Sequence, residues 1–122
     1  MYLKKTKLFL LKANFSDPNL GDENLRYFCP DCAIIEGILS YYPNLKNELD
    51  IQYVDFQRPR NELVALLGVN NQSCPSLIIN FEKATDKTLR QFQQYSDYLF
   101  SNDPKIIANY FAEKFGIGIE HP

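Results

Sequence analysis

The pattern of apolar and polar positions divides the chain into short segments. Lys7–Leu11 is an apolar run bounded by polar residues, which predicts a fully buried strand. Lys12 to Phe28 has no clean period and carries the turn signals Asp17-Pro18 and Gly21-Asp22, so it reads as a long loop. From Pro30 the pattern becomes helical, with Ile34, Ile35, Ile38, Leu39 and Tyr42 recurring at three- and four-residue spacing. Pro30 suits the first helical position, Asp31 favours the helix dipole, and Pro43 ends the helix near Tyr42. Ile51–Phe56, rich in β-branched and aromatic residues, predicts a second strand. Arg60–Leu67 predicts a short helix with Leu63, Leu66 and Leu67 inward, closed by Gly68. Ser76–Asn80 predicts a third strand led by Pro75, which is admissible at a strand start. Phe81 to Ser96 is polar and reads as a surface excursion inside a hairpin, with Leu89, Phe92 and Tyr95 hinting at a short helix. Asp97–Phe100 is a weak fourth strand. Asp103-Pro104 starts a last helix with Ile106, Ile107, Tyr110, Phe111 and Phe115 on its apolar face, and Gly116 ends it.

The predicted order is β-α-β-α-β-β-α. A strand-helix-strand start implies a right-handed crossover and parallel pairing of the first two strands. The last two strands suggest an antiparallel pair, giving a four-stranded mixed sheet flanked by helices. A length of 122 residues fits one domain over 1–122, large enough to bury a core without staples. The formal charge of −2 provides no broad electrostatic footprint for nucleic acid. Lys4, Lys5 and Lys7 precede only the four apolar residues Leu8–Leu11, too few for a signal-peptide core or a membrane span. The expectation is a cytoplasmic protein that engages neither nucleic acid nor membrane.

Three cysteines, Cys29, Cys32 and Cys74, are too few for a disulfide framework. In a reducing compartment they read as catalytic, metal-binding or inert. Cys29-Pro30-Asp31-Cys32 opens the first helix, which puts Cys29 at the helix N-terminus and Cys32 about one turn inside. The N-terminal field favours a thiolate at Cys29, and the Asp31 carboxylate opposes it. Cys29 then reads as the attacking thiol and Cys32 as the resolving one in thiol–disulfide exchange. The competing readings are a pair of inert half-buried cysteines, or a tetrahedral metal site built from Cys29, Cys32 and Cys74 with His121 as fourth ligand. Cys74 alone reads as a small core residue or as a redox partner that bridges to Cys29 or Cys32 on oxidation.

The element order, with Cys-Pro-x-Cys at the first helix and x-Pro at the third strand, resembles the thioredoxin fold over nearly the whole chain. Asp17-Pro18, Cys29-Pro30-Asp31-Cys32, Asp55-Phe56-Gln57-Arg58-Pro59-Arg60, Leu67-Gly68 with Asn71-Gln72, and His121-Pro122 together resemble the small bacterial thioredoxin-like family catalogued as domain of unknown function 3088. The resemblance implies a fold, no established activity, and a cis Pro75 facing the cysteine pair. It assigns no role to Cys74. A glutaredoxin-like thiol–disulfide oxidoreductase is the expected function, with glutathione or a protein dithiol as partner. A non-catalytic binding module is the alternative, docking through the Cys-Pro edge and the loop Lys12–Phe28. The candidate catalytic residues are Cys29 and Cys32. Candidate substrate-binding residues around them are Cys74, Pro75, Arg58, Arg60, Asn102 and Asp103. Arg58 and Arg60 could hold a carboxylate of glutathione, or lie in a solvated loop. Asn102 and Asp103 resemble in position the place where glutaredoxins and glutathione transferases hold the γ-glutamyl end, and Asp103 could equally be an ordinary N-cap.

Overall fold

A computed structural model of the chain describes residues 2–122. Its strands are β1 (Thr6–Leu11), β2 (Leu49–Val54), β3 (Ser76–Asn80), β4 (Gln93–Tyr95) and β5 (Tyr98–Ser101). Its α-helices are α1 (Pro30–Tyr41), α2 (Leu45–Glu48), α3 (Asn61–Leu67), α4 (Asp86–Gln91) and α5 (Pro104–Phe115). The strands form one sheet in the order β2-β1-β3-β5-β4. β1 and β2 run parallel, while β3 is antiparallel to both β1 and β5, and β4 is antiparallel to β5.

The period of two along the strands builds two cores, one on each face of the sheet. Leu8, Leu10, Leu77, Ile79 and Leu99 face α1 and α5, whose Ile35, Leu39, Ile107 and Phe111 are buried against them. Phe9, Ile78 and Phe100 point the other way, onto Leu63 and Leu67 of α3. Each such side chain contributes about 1.5–3 kcal/mol by leaving water. α1 and α5 pack on each other, and Cys29 at the start of α1 and Asn102 just before α5 both reach the segment that leads into β3.

The sheet has five strands, not the four expected. The extra one, β4, lies in the segment read as a surface excursion. All its residues, Gln93, Gln94 and Tyr95, are exposed, so no apolar alternation marks it. Main-chain pairing with β5 makes it a strand. The ring of Tyr95 also covers Gly68, where a Cβ would lie 2.8 Å from its hydroxyl and where φ is +81°. Only glycine accepts both conditions at that α3 terminus. β2 starts and ends two residues earlier than expected: it follows directly on the short α2 and pairs in parallel with β1 from Thr6↔Leu49 to Leu11↔Val54. α4 buries Thr88, reciprocally capped with Thr85, and leaves Leu89 exposed.

Candidate functional site: a cluster of three thiols

The long loop between β1 and α1 is pinned at its base. Phe15 and Tyr27 exchange main-chain hydrogen bonds of 3.1 and 2.8 Å. Phe15 also stacks on Phe56, with ring centroids 4.4 Å apart and planes 5° from parallel. The loop therefore leans on the β2–α3 connection and delivers Cys29 in a fixed place.

Cys29 is the N-cap of α1, followed by Pro30 in the first helical turn. Its Sγ accepts the N–H of Cys32 at 3.2 Å, the role an N-cap oxygen ordinarily plays. The same sulfur lies 3.7 Å from the carbonyl oxygen of Cys74, to which its thiol donates. Cys32 is buried within the core shared by α1 and α5, and its Sγ accepts the N–H of Leu11 at 3.5 Å. All three cysteines are free thiols, with Cys29 and Cys74 half-buried. Burial pushes the Cys32 thiol far above its ordinary ionisation range, against the opposing Leu11 hydrogen bond. Burial also pushes the Cys74 thiol up to about 11, with the Arg60 guanidinium pulling the other way.

The Cys74-Pro75 peptide is cis, and so is Arg58-Pro59. The loop before β3 is held by Asn102, whose Nδ2 donates to the carbonyls of Ser73 at 3.0 Å and Pro75 at 2.9 Å. Asn102 thus clamps both sides of Cys74. Asp103 caps α5, accepting the Lys105 N–H at 2.8 Å, and remains exposed.

The two arginines part company. Arg58 is exposed and lines a shallow depression with Asn19 and Gln57. Arg60 is buried, and its guanidinium donates to the carbonyls of Asp55 (3.2 Å), Phe56 (2.6 Å) and Gln72 (2.7 Å). Gln72, also buried, accepts the Arg60 N–H at 2.6 Å. Arg60 therefore holds the loops around the cysteines together, and Arg58 is the arginine left exposed. This division is hidden in sequence, because arginines are ordinarily exposed and the acceptors are main-chain atoms.

Beside the motif, a groove of about 650 Å³ runs between α1, the start of α5 and the tail, and includes Asp31, Ile38, Asp103 and His121. His121 thus lies with carboxylates on that groove. Among the described residues, no group of three or more His, Cys, Asp and Glu could hold a metal ion, so Cys29, Cys32, Cys74 and His121 do not form the tetrahedral ligand set considered from the sequence. Among the described residues no helix is long and apolar enough to cross a membrane.

Fold and site define a mixed α/β protein with a dithiol on a helix N-terminus and a third thiol preceding a cis proline. The chain belongs to the family described as "Protein of unknown function (DUF3088)", which matches residues 5–119. No curated protein and no solved structure matches the chain.

Proposed function

We propose that this protein has a thioredoxin-like fold and is a thiol–disulfide oxidoreductase of glutaredoxin-like type, working in the reducing cytoplasm. One observation carries the reading: Cys29 Sγ sits on the α1 N-terminus under the Cys32 N–H, against the carbonyl of the residue before cis Pro75. In the first step the Cys29 thiolate attacks one sulfur of a substrate disulfide, forming a mixed disulfide and releasing the other half as a thiol. In the second step Cys32 attacks Cys29 Sγ, the Cys29–Cys32 disulfide forms, and the remaining half leaves with the Cys32 proton. A dithiol or two molecules of glutathione then restore the pair. Arg58 is the group available to meet a carboxylate of that reductant.

The test is reduction of a mixed disulfide by the reduced protein, compared with Cys29→Ser. The expected result is loss of at least about a hundredfold in rate with Cys29→Ser, together with alkylation of Cys29 ahead of Cys32 and Cys74. Equal activity of the two proteins overturns the proposal.

A second reading rests on Leu20, Leu25 and Phe28, which stand 61%, 49% and 64% exposed on the loop leading to Cys29. In that reading the loop docks a partner and the thiols do no chemistry. A Cys29→Ser protein that retains its partner in a pull-down, while the unaltered protein reduces no disulfide, supports docking over turnover.

A further inference from the structure

We propose that Cys74 is a second resolving thiol for Cys29, so that the centre closes as a Cys29–Cys74 disulfide as well as a Cys29–Cys32 one. The inference rests on the oxidoreductase reading and adds a residue to its chemistry.

Two observations support it. The first is contact: Cys29 Sγ touches the Cys74 main chain at 3.7 Å, across a sequence separation of 45 residues. Asn102 fixes the carbonyls on both sides of Cys74, so the approach is held by the fold. The second is access. Cys32 is 4% exposed and its sulfur is engaged by the Leu11 N–H, whereas Cys29 and Cys74 are both half-buried and pack against the same core cluster. A bulky mixed disulfide on Cys29 is therefore within reach of a thiol outside the helix. Burial holds the free Cys74 thiol protonated, up to about 11, and the guanidinium groups of Arg60 and Arg58 offset only part of that, so the step depends on proximity rather than on an acidic thiol.

The step balances without a further reagent. With Cys29 bonded to the substrate half R, the Cys74 sulfur attacks Cys29 Sγ. The Cys29–Cys74 bond forms, the Cys29–SR bond breaks, and the electron pair leaves on R sulfur, which takes up the proton lost by Cys74. The substrate disulfide is reduced by two electrons and the two cysteines are oxidised by two.

The experiment uses Cys32→Ala, which keeps an apolar group in the core, with Cys32→Ser as a second variant. Each is mixed with one molar equivalent of 5,5′-dithiobis(2-nitrobenzoate). Expected are two equivalents of released thiolate per chain, an intact mass two hydrogens below the reduced variant, and a peptide map joining Cys29 to Cys74. With Cys32→Ala/Cys74→Ser, one equivalent is released and the adduct stays on Cys29. A Cys29 adduct that persists in the single variants as it does in the double, or adducts on both cysteines without a bridge, overturns the second resolving thiol and leaves the oxidoreductase reading standing. Failure of Cys29 to take up the reagent in any variant overturns both.

Discussion

At the scale of single residues, Arg60 and the thiols respond to burial in opposite ways. The Arg60 guanidinium is stabilised by carbonyl dipoles of Asp55, Phe56 and Gln72 and by the ring of Phe56, 5.6 Å away. Arg60→Met leaves those acceptors without donors and should cost about 2–4 kcal/mol. Arg60→Lys should recover less than half of that, because an ammonium cannot span the fork of acceptors. Urea midpoints measure both, and a loss below about 0.5 kcal/mol for Arg60→Met contradicts this role. The thiols give a pH dependence of definite sign. Cys74 ionises at about 11 in the fold against an ordinary 9.0, and Cys32 is raised further still. A raised value means that the folded chain holds its proton while the unfolded chain has lost it. The stability this provides is intact below pH 9.0, starts to fall there as the unfolded thiols ionise, and for Cys74 is gone once the pH has passed about 11. Urea unfolding across that window should show a falling midpoint in the reduced protein and a shallower fall in Cys74→Ser.

At the scale of elements, the start of α5 secures the site through two adjacent residues with different tasks. Asp103→Ala removes an N-cap and should cost about 1 kcal/mol with little effect on the cysteines. Asn102→Ala removes two hydrogen bonds that flank Cys74 and should cost about 1–3 kcal/mol. It should also slow closure of the Cys29–Cys74 bridge several-fold in the Cys32→Ala background, which Asp103→Ala should not. Equal closure rates in the two proteins would remove Asn102 from the role of clamp. The contrast also shows what a sequence carries. α1 was legible because Pro30, Asp31 and an apolar period agree on one helix, and Asp103-Pro104 announced α5 in the same way. β4 was not legible, since three exposed residues are held by main-chain bonds alone. Asn102 is legible as a site residue by its position beside the α5 N-cap, but its hydrogen bonds to the loop before β3 are not. Its acceptors come from residues 27 and 29 positions away, and no local pattern encodes them.

At the scale of the whole molecule, the two bridges open to Cys29 differ in what they join. Cys29–Cys32 closes one turn of α1 and constrains the unfolded chain less, because loop-closure entropy grows with loop length. Cys29–Cys74 closes a loop that contains α1, β2 and α3, with its ends 45 positions apart. Loop-closure entropy then predicts stabilisation of about 2–4 kcal/mol for that form. Thermal melts of the isolated Cys29–Cys74 form of Cys32→Ala should therefore lie several degrees above those of its reduced form. The Cys29–Cys32 form of Cys74→Ser should show a smaller rise. Equal shifts would mean that the longer bridge strains the fold by as much as it restricts the unfolded chain.

Leu11 connects these scales in one further way. Its N–H lies on Cys32 Sγ at 3.5 Å, and its side chain packs against the cores on both faces of the sheet. Its amide proton is therefore a built-in spectroscopic reporter. In a nitrogen-15 correlation spectrum that resonance should move when Cys32 enters a disulfide and stay nearly still when Cys74 does so instead. A single peak would then distinguish two oxidised forms of equal mass.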